Sequence, residues 1–304
     1  MSDGAVGFPG FEARDLKTSR GAVHALVGGS GPPLLLLHGY PQSHLMWHAV
    51  APLLADRHTV VAADLAGYGA SFHPTPTADH AAHGKRAMAL DQVEAMAALG
   101  FDRFAVAGHD RGGRVGYRMA LDHPGSVERL AVLDIVPTGE VWRRADAAFA
   151  RGYWHWGFLA QPAPLPERLI AGDPDAFFDL HVRAGMGLGR APGRYPAEIL
   201  DAYRRLLDDR ATVEAMCEDY RAGATVDVAD DDVDRLAGRR IECPVLVLWA
   251  AGGGLPRFYD DVLDVWRPWA PDVRGAPVDA SHFMAEDRPD EVARALLAFL
   301  GDGP

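Results

Sequence analysis

The chain has 304 residues, 48% hydrophobic and 24% charged, which suits one large globular α/β domain or a core carrying an insertion. Its net charge of -12 argues against nucleic acid and anionic membranes as partners, so any small anion it binds must be drawn by a local positive site. The chain does not open on a basic region followed by an apolar run, and its longest apolar stretches fall short of a bilayer span. The expectation is a cytoplasmic protein whose two cysteines, Cys217 and Cys243, are free thiols.

Near the start, Val23 to Val27 and the turn Gly28-Gly29-Ser30-Gly31 predict a strand near a sheet edge. Leu34 to Leu37 is a continuous apolar run, the pattern of a parallel strand buried on both faces. It ends in His38-Gly39-Tyr40-Pro41-Gln42, and Trp47 to Leu54 reads as helix. Val60 to Asp64 is the next strand, followed by a glycine-rich turn and a Pro/His/Asp-rich loop over 72–83. A helix over 85–99 is stopped by Gly100. Phe104 to Ala107 is a strand, Gly112 to Leu121 a helix, and Leu130 to Asp134 a strand. This alternation predicts an α/β fold with a mostly parallel sheet and helices on both faces.

The alternation then breaks. Residues 139–235 offer helical pieces at 141–150, 174–184, 197–208 and 211–219, rich in aromatics, and read as an inserted helical cap. The core is expected to comprise 1–138 and 236–304, resuming with a strand at Pro244 to Trp249. A helix at 257–268, a weaker strand at 273–279 and a helix at 289–300 complete it.

Between the strand Phe104 to Ala107 and its helix lies Gly108-His109-Asp110-Arg111-Gly112. A Gly-x-nucleophile-x-Gly turn there is the nucleophile elbow of an α/β hydrolase, here with Asp110 in place of serine. A carboxylate attacks a saturated carbon and forms an alkyl ester, which water must then cleave. Asp134 and His282 also follow strand ends, in the chain order nucleophile, acid, histidine. His282 suits a general base that activates water, with Asp134 fixing its tautomer. The backbone N–H groups of Tyr40 and Arg111 are candidate oxyanion donors. Arg111 and Arg114, three apart on a helix, are candidates to clamp a substrate carboxylate, unless one of them pairs with a structural acid.

Together these motifs resemble the fluoroacetate dehalogenase (haloacetate dehalogenase) branch of the α/β-hydrolase family. The resemblance rests on His38 to Gln42, Met46-Trp47-His48, Asp64 to Gly69, Gly108 to Arg114, Leu133 to Thr138, Tyr153 to Trp156, Cys217 to Ala224, Gly275 to Pro277 and Ser281 to Phe283, and spans nearly the whole chain. It implies Asp110 as nucleophile, His282 as base, Asp134 as its partner and Arg111 and Arg114 as the carboxylate clamp. His155, Trp156 and Tyr220 would surround the leaving halide. The implied partners are a small halogenated carboxylate, water and the halide product, with a homodimer as the implied assembly.

On the residues alone, Trp154 and Trp156 read as cap core and Tyr220 carries no signal. His109 and Tyr153 are possible pocket residues. No cofactor or metal is expected: His73, His80 and His83 read as surface, and Gly28 to Gly31 lacks the Lys-Ser/Thr of a phosphate loop. The stretch 181–196 holds no tryptophan where relatives carry a bulky aromatic, a change that would loosen the lid. Three alternatives stand beside C–F cleavage: a dehalogenase limited to chloro and bromo acids, an epoxide hydrolase, and a non-catalytic small-anion binder.

Overall fold

The computed structural model describes residues 7–301, except 190 and 192. Eight strands form one sheet: β1 (Glu12–Lys17), β2 (Ala22–Gly29), β3 (Pro33–Leu37), β4 (Thr59–Ala63), β5 (Phe104–His109), β6 (Val127–Leu133), β7 (Val245–Ala250) and β8 (Val273–Val278). Their spatial order is β1-β2-β4-β3-β5-β6-β7-β8. The pairs β1/β2 and β2/β4 are antiparallel, and every other pair is parallel.

Strand alternation explains the continuous apolar runs. Leu35 and Leu37 enter one core layer with Val106 and Val132, while Leu34 and Leu36 enter the opposite layer with Ala107 and Leu133. Successive side chains point to opposite faces, so a strand covered on both sides must be apolar throughout. One layer receives α1 (Lys85–Ala98) and α2 (Arg111–Asp122), through Met88, Met96 and Val115. The other receives Trp47, Leu54 and the C-terminal Leu296 and Phe299.

Between β6 and β7 the described residues are helical: α3 (Thr138–Arg144), α4 (Ala147–Gly152), α5 (Trp154–Leu159), α6 (Leu165–Gly172), a π-helical stretch Phe178–Met186, α7 (Ala197–Leu206), α8 (Arg210–Ala224) and α9 (Val226–Ala237). The last runs past residue 235 and ends at Gly238, whose φ of 65° is left-handed. Two more helices close the core, α10 (Met284–Asp287) and α11 (Pro289–Gly301). Among the described residues, no helix is long and apolar enough to cross a membrane.

Several expectations need correction. The strand expected near the sheet edge is β2, one in from the edge strand β1, which was not foreseen. The helix expected over 47–54 is a 3-10 turn, His44–Trp47, and a separate short helix, Ala51–Ala55, with Pro52 in its first turn, where proline's missing N–H does no harm. The helix expected over 257–268 is likewise two, Leu255–Phe258 and Val262–Trp266. The second starts where the Asp261 carboxylate accepts from Leu263 N at 2.7 Å. His83 is fully buried, not at the surface, and burial takes its pKa down to about 4. His73 and His80 are half-buried, each bonded to α8, at Thr212 Oγ1 (3.1 Å) and Glu218 Oε2 (2.7 Å). Cys217 and Cys243 are free.

Candidate active site

The elbow is shaped by glycine. A Cβ at Gly108 would lie 2.4 Å from Gly112 O, and one at Gly112 would lie 2.5 Å from both His38 O and Leu37 O. Only with hydrogen at both positions can α2 start this close to β5 and β3. Asp110, between them, has φ 45° and ψ -112°, a conformation L-residues avoid. It is held by its own N–H donating to Leu133 O at 3.2 Å and by Arg114 N donating to its carbonyl at 3.1 Å.

The carboxylate of Asp110 projects under Gly39, where a Cβ would fall 2.5 Å from Asp110 Cβ. Tyr40 N donates to Asp110 Oδ1 at 3.0 Å. The same N–H is therefore placed to hold the carbonyl oxygen of an Asp110 ester and the oxyanion formed from it. Burial would raise the pKa of Asp110, but Arg111, His282, His109 and Arg114 together take it far below the carboxylate range. Asp110 is thus an ionised carboxylate with little solvent around it.

Asp134 follows β6, also at positive φ (55°). One oxygen accepts from Ala250 N at 2.9 Å, and the other meets His282 Nδ1 at 2.7 Å. The His282 carbonyl is bonded to His109 Nε2 at 2.8 Å, with the two rings 4.5 Å apart. His109 therefore braces the histidine loop. For His282, burial favours the neutral ring, but the hydrogen bond and charge of Asp134 and the charge of Asp110 outweigh it and raise the pKa above 6.5. Burial lowers the pKa of His109 and of the cap's His181 to about 4, and pushes His155 well below 6.5.

That separation yields a pH prediction. A base must be neutral to act, and a raised pKa keeps His282 protonated to higher pH. Turnover should fall on the acid side with a limb above pH 6.5, and Asp134→Asn should move that limb lower. A pH–rate profile checks both, because the neighbouring histidines are already neutral there.

The arginines differ in their surroundings. Arg111 is fully buried, with its guanidinium 3.5 Å over the Tyr220 ring, 5.0 Å from Trp156, and Nη1 3.4 Å from Asp219. Arg114 donates through Nη1 to Val136 O (2.9 Å) and Thr138 Oγ1 (3.1 Å), and lies 4.6 Å over Trp156. Arg111 is thus the one with an acid partner. Nε and Nη2 of Arg111 and Nε of Arg114 are buried without partners. Buried donors in that state call for an acceptor, and a carboxylate meets the need.

The helices between β6 and β7 bring His155, Trp156 and Tyr220 next to Tyr40 and the arginines. Tyr40 stacks against His155 (6.1 Å) and meets Tyr220 edge-on (5.3 Å). A cavity of about 780 Å³ opens beside them, lined by Asp134, His282, Tyr153, His155, His181 and Gly185 among others. Asp110, Arg111 and Arg114 are buried and are not among the residues that line it. The tryptophan-free segment contributes His181, Gly185, Met186, Ala191 and Arg194 to the lining, with the His181 ring 4.8 Å from that of Trp154. Trp154, expected in the cap core, is 44% exposed at the same cavity.

Asp219, Lys85 and His181 escaped the sequence reading. Asp219 lies inside the Cys217 to Ala224 motif, next to Tyr220, which was its only signal. His181 is buried 4.7 Å from His155, with Nε2 unpartnered. Among the described residues, no three metal-ligating side chains gather.

Residues 32–289 match the family model for the alpha/beta hydrolase fold. The chain is 48% identical over 295 residues to a fluoroacetate dehalogenase from Burkholderia sp, covering 97% of this chain and 95% of that one. It is 31% identical over 282 residues to a soluble epoxide hydrolase from Corynebacterium sp. strain C12, covering 91% and 93%. Among solved structures, a protein from Nostoc sp PCC 7120 described as an alpha/beta hydrolase superposes with TM-score 0.92 at 45% identity, covering 96% of this chain and 99% of that one. One from Pseudomonas aeruginosa, described as an epoxide hydrolase mutant with bound MFA, gives 0.89 at 50% identity, covering 96% of each.

Proposed function

The chain belongs to the α/β-hydrolase family, in the branch of the fluoroacetate dehalogenase, and from that premise we propose that it hydrolyses haloacetates, fluoroacetate foremost, through an ester on Asp110. One observation carries the reading: the unpartnered, buried guanidinium donors of Arg111 and Arg114 beside an ionised carboxylate nucleophile. Neutral epoxides and haloalkanes have no use for such a clamp.

In the first step Arg111 and Arg114 bind the substrate carboxylate and present its α-carbon to Asp110. An oxygen of Asp110 attacks that carbon from behind the halogen, forming a C–O bond as the carbon–halogen pair leaves with the halide. His155, Trp156 and Tyr220 donate hydrogen bonds to the departing ion. Fluoride is small and strongly hydrated, so these donors replace the water it would otherwise hold.

In the second step His282, oriented by Asp134, takes a proton from water, and the resulting hydroxide attacks the ester carbonyl. Tyr40 N and Arg111 N hold the oxyanion. Collapse expels the glycolate oxygen, which takes the proton of the new carboxyl group, so that glycolate leaves, Asp110 is again a carboxylate and His282 passes its proton to solvent. Tyr153 and His109 are assigned to the pocket wall and the histidine loop. The helical segment 139–235 acts as the cap and 1–138 with 236–304 as the core, in a cytoplasmic protein that pairs as a homodimer.

Fluoride release from fluoroacetate, beside chloride release from chloroacetate and diol formation from styrene oxide, tests the proposal. Both halides should appear. Chloride alone would restrict the enzyme to weaker carbon–halogen bonds, diol without halide would favour an epoxide hydrolase, and inactivity on all three would point to an anion-binding protein.

A further inference from the structure

Arg111 belongs to the core, yet the groups that fix its guanidinium come from the cap. Helix α8 supplies three of them within little more than one turn. Asp219 Oδ1 lies 3.4 Å from Arg111 Nη1, the Tyr220 ring lies 3.5 Å beneath the guanidinium, and a Cβ at Gly223 would fall 3.1 Å from Nη1. Asp219 and Gly223 are four apart, so both face the same way along the helix. One holds Nη1 and the other leaves it room.

Asp219 is itself immobilised. Its Oδ1 also accepts from the buried Lys85 Nζ of α1, and its Oδ2 accepts from Tyr68 OH at 2.9 Å. Lys85 is held in turn by Asp227, with Nζ 3.6 Å from Oδ2. Burial alone would raise the pKa of Asp219, but Lys85 and Arg111 pull it below the carboxylate range. The carboxylate is therefore charged, fully buried and tied on both oxygens.

Which donors this leaves free matters. An Arg fork offers two parallel N–H groups along its Nε/Nη2 edge, the geometry that grips a carboxylate side-on. With Nη1 drawn to Asp219, the buried atoms without partners are Nε and Nη2. We propose that Asp219 is a positioning residue, borne by the cap, that holds the Nη1 corner of Arg111 so that its Nε/Nη2 edge receives the substrate carboxylate. This rests on the clamp role given to Arg111 above.

The sign of the effect separates positioning from charge. Removing a negative group beside an anion site should tighten anion binding by Coulomb's law alone. Loss of positioning should weaken it. The experiment measures the dissociation constant of acetate, an unreactive carboxylate, by calorimetry in the parent, Asp219→Asn, Arg111→Leu and the double variant, with thermal midpoints to verify folding. It adds KM and kcat for chloroacetate in the same four proteins.

Expected for Asp219→Asn is about tenfold weaker acetate binding, a matching rise in KM, a smaller change in kcat, and no further weakening in the Arg111→Leu background. Unchanged or tighter acetate binding by folded Asp219→Asn would overturn the proposal, as would an equal loss with Arg111 already removed. Absence of acetate binding in the parent would also overturn it. Should Asp219→Asn fail to fold, Lys85→Met/Asp219→Asn, which removes the opposed charges together, is measured against Lys85→Met with the same criteria. Acetate binding that depends on Asp219 in a protein inactive on chloroacetate would retain the positioning role and dismiss the dehalogenase reading.

Discussion

Replacing His282 with Asn should stop the reaction after about one halide per enzyme molecule and leave a carboxymethyl ester on Asp110. The two proposed steps make different demands. Displacement of the halide needs an ionised Asp110, and four cationic or titratable neighbours hold it so. Arg111, the largest of these stabilisers, and Arg114 keep their part of that field when His282 is replaced. Cleavage of the ester needs a base, and His282 is bonded to Asp134 at 2.7 Å, with His109 bracing its backbone. Asn has no basic nitrogen. General-base assistance is typically worth about 10²–10⁴ in rate, so turnover should fall by that order while the first displacement persists. Halide release in the first turnover and the mass of the Asp110 peptide give both readings. Sustained release at the parental rate would remove His282 from the base role.

The second large effect is expected from Arg111→Leu. Leucine offers no donors and leaves empty the place the guanidinium holds over Tyr220 and beside Trp156. The substrate carboxylate would lose charged hydrogen bonds worth roughly 1.5–3 kcal/mol each, so kcat/KM for chloroacetate should drop by about two orders of magnitude or more. Loss of the positive charge also relaxes the pKa of Asp110, whose strongest cationic stabiliser is Arg111. Steady-state kinetics on chloroacetate and on neutral chloroacetamide separate the two contributions. A loss confined to chloroacetate assigns the effect to the clamp, and an equal loss on both assigns it to the nucleophile. Undiminished activity on chloroacetate would take Arg111 out of the site.

The parallel core was readable because each buried strand must be apolar on both faces, and Leu34 to Leu37 or Val245 to Leu248 can be little else. The elbow was readable because its glycines answer to backbone oxygens 2.4–2.5 Å from any added Cβ. The cap was harder, and α9 shows why. In its sequence, Val-Asp-Val-Ala-Asp-Asp-Asp-Val-Asp-Arg-Leu-Ala, the apolar residues Val226, Ala229, Val233 and Leu236 recur at helical spacing, yet Ala229, Val233 and Leu236 face solvent. It docks instead through carboxylates. Asp231 and Asp234 accept from Arg118 of α2 at 3.1 and 2.5 Å, and Asp231 also accepts from Tyr117 OH at 2.9 Å. Hydrophobic periodicity points to the wrong face of a helix seated by buried ion pairs.

The candidate site divides along the same line. Asp110, Asp134 and His282 sit beyond strand ends in a fixed chain order, and short motifs marked them. Asp219 and Lys85 are 134 residues apart and meet only after the cap has folded onto α1. Their partnership depends on tertiary contact, and neither residue stands in a pattern that names its partner. Tyr220 carries no signal on the residues alone, because only the fold brings a guanidinium 3.5 Å above its ring.

The ester on Asp110 is tested most directly by a single turnover in H₂¹⁸O, with enzyme in excess over haloacetate. Water attacks the ester carbonyl in the proposed second step, so the glycolate hydroxyl oxygen should be unlabelled and the ¹⁸O should reside in the Asp110 peptide. Labelled glycolate with an unlabelled Asp110 peptide would mean that water attacks the substrate carbon directly, and would contradict the nucleophilic role of Asp110.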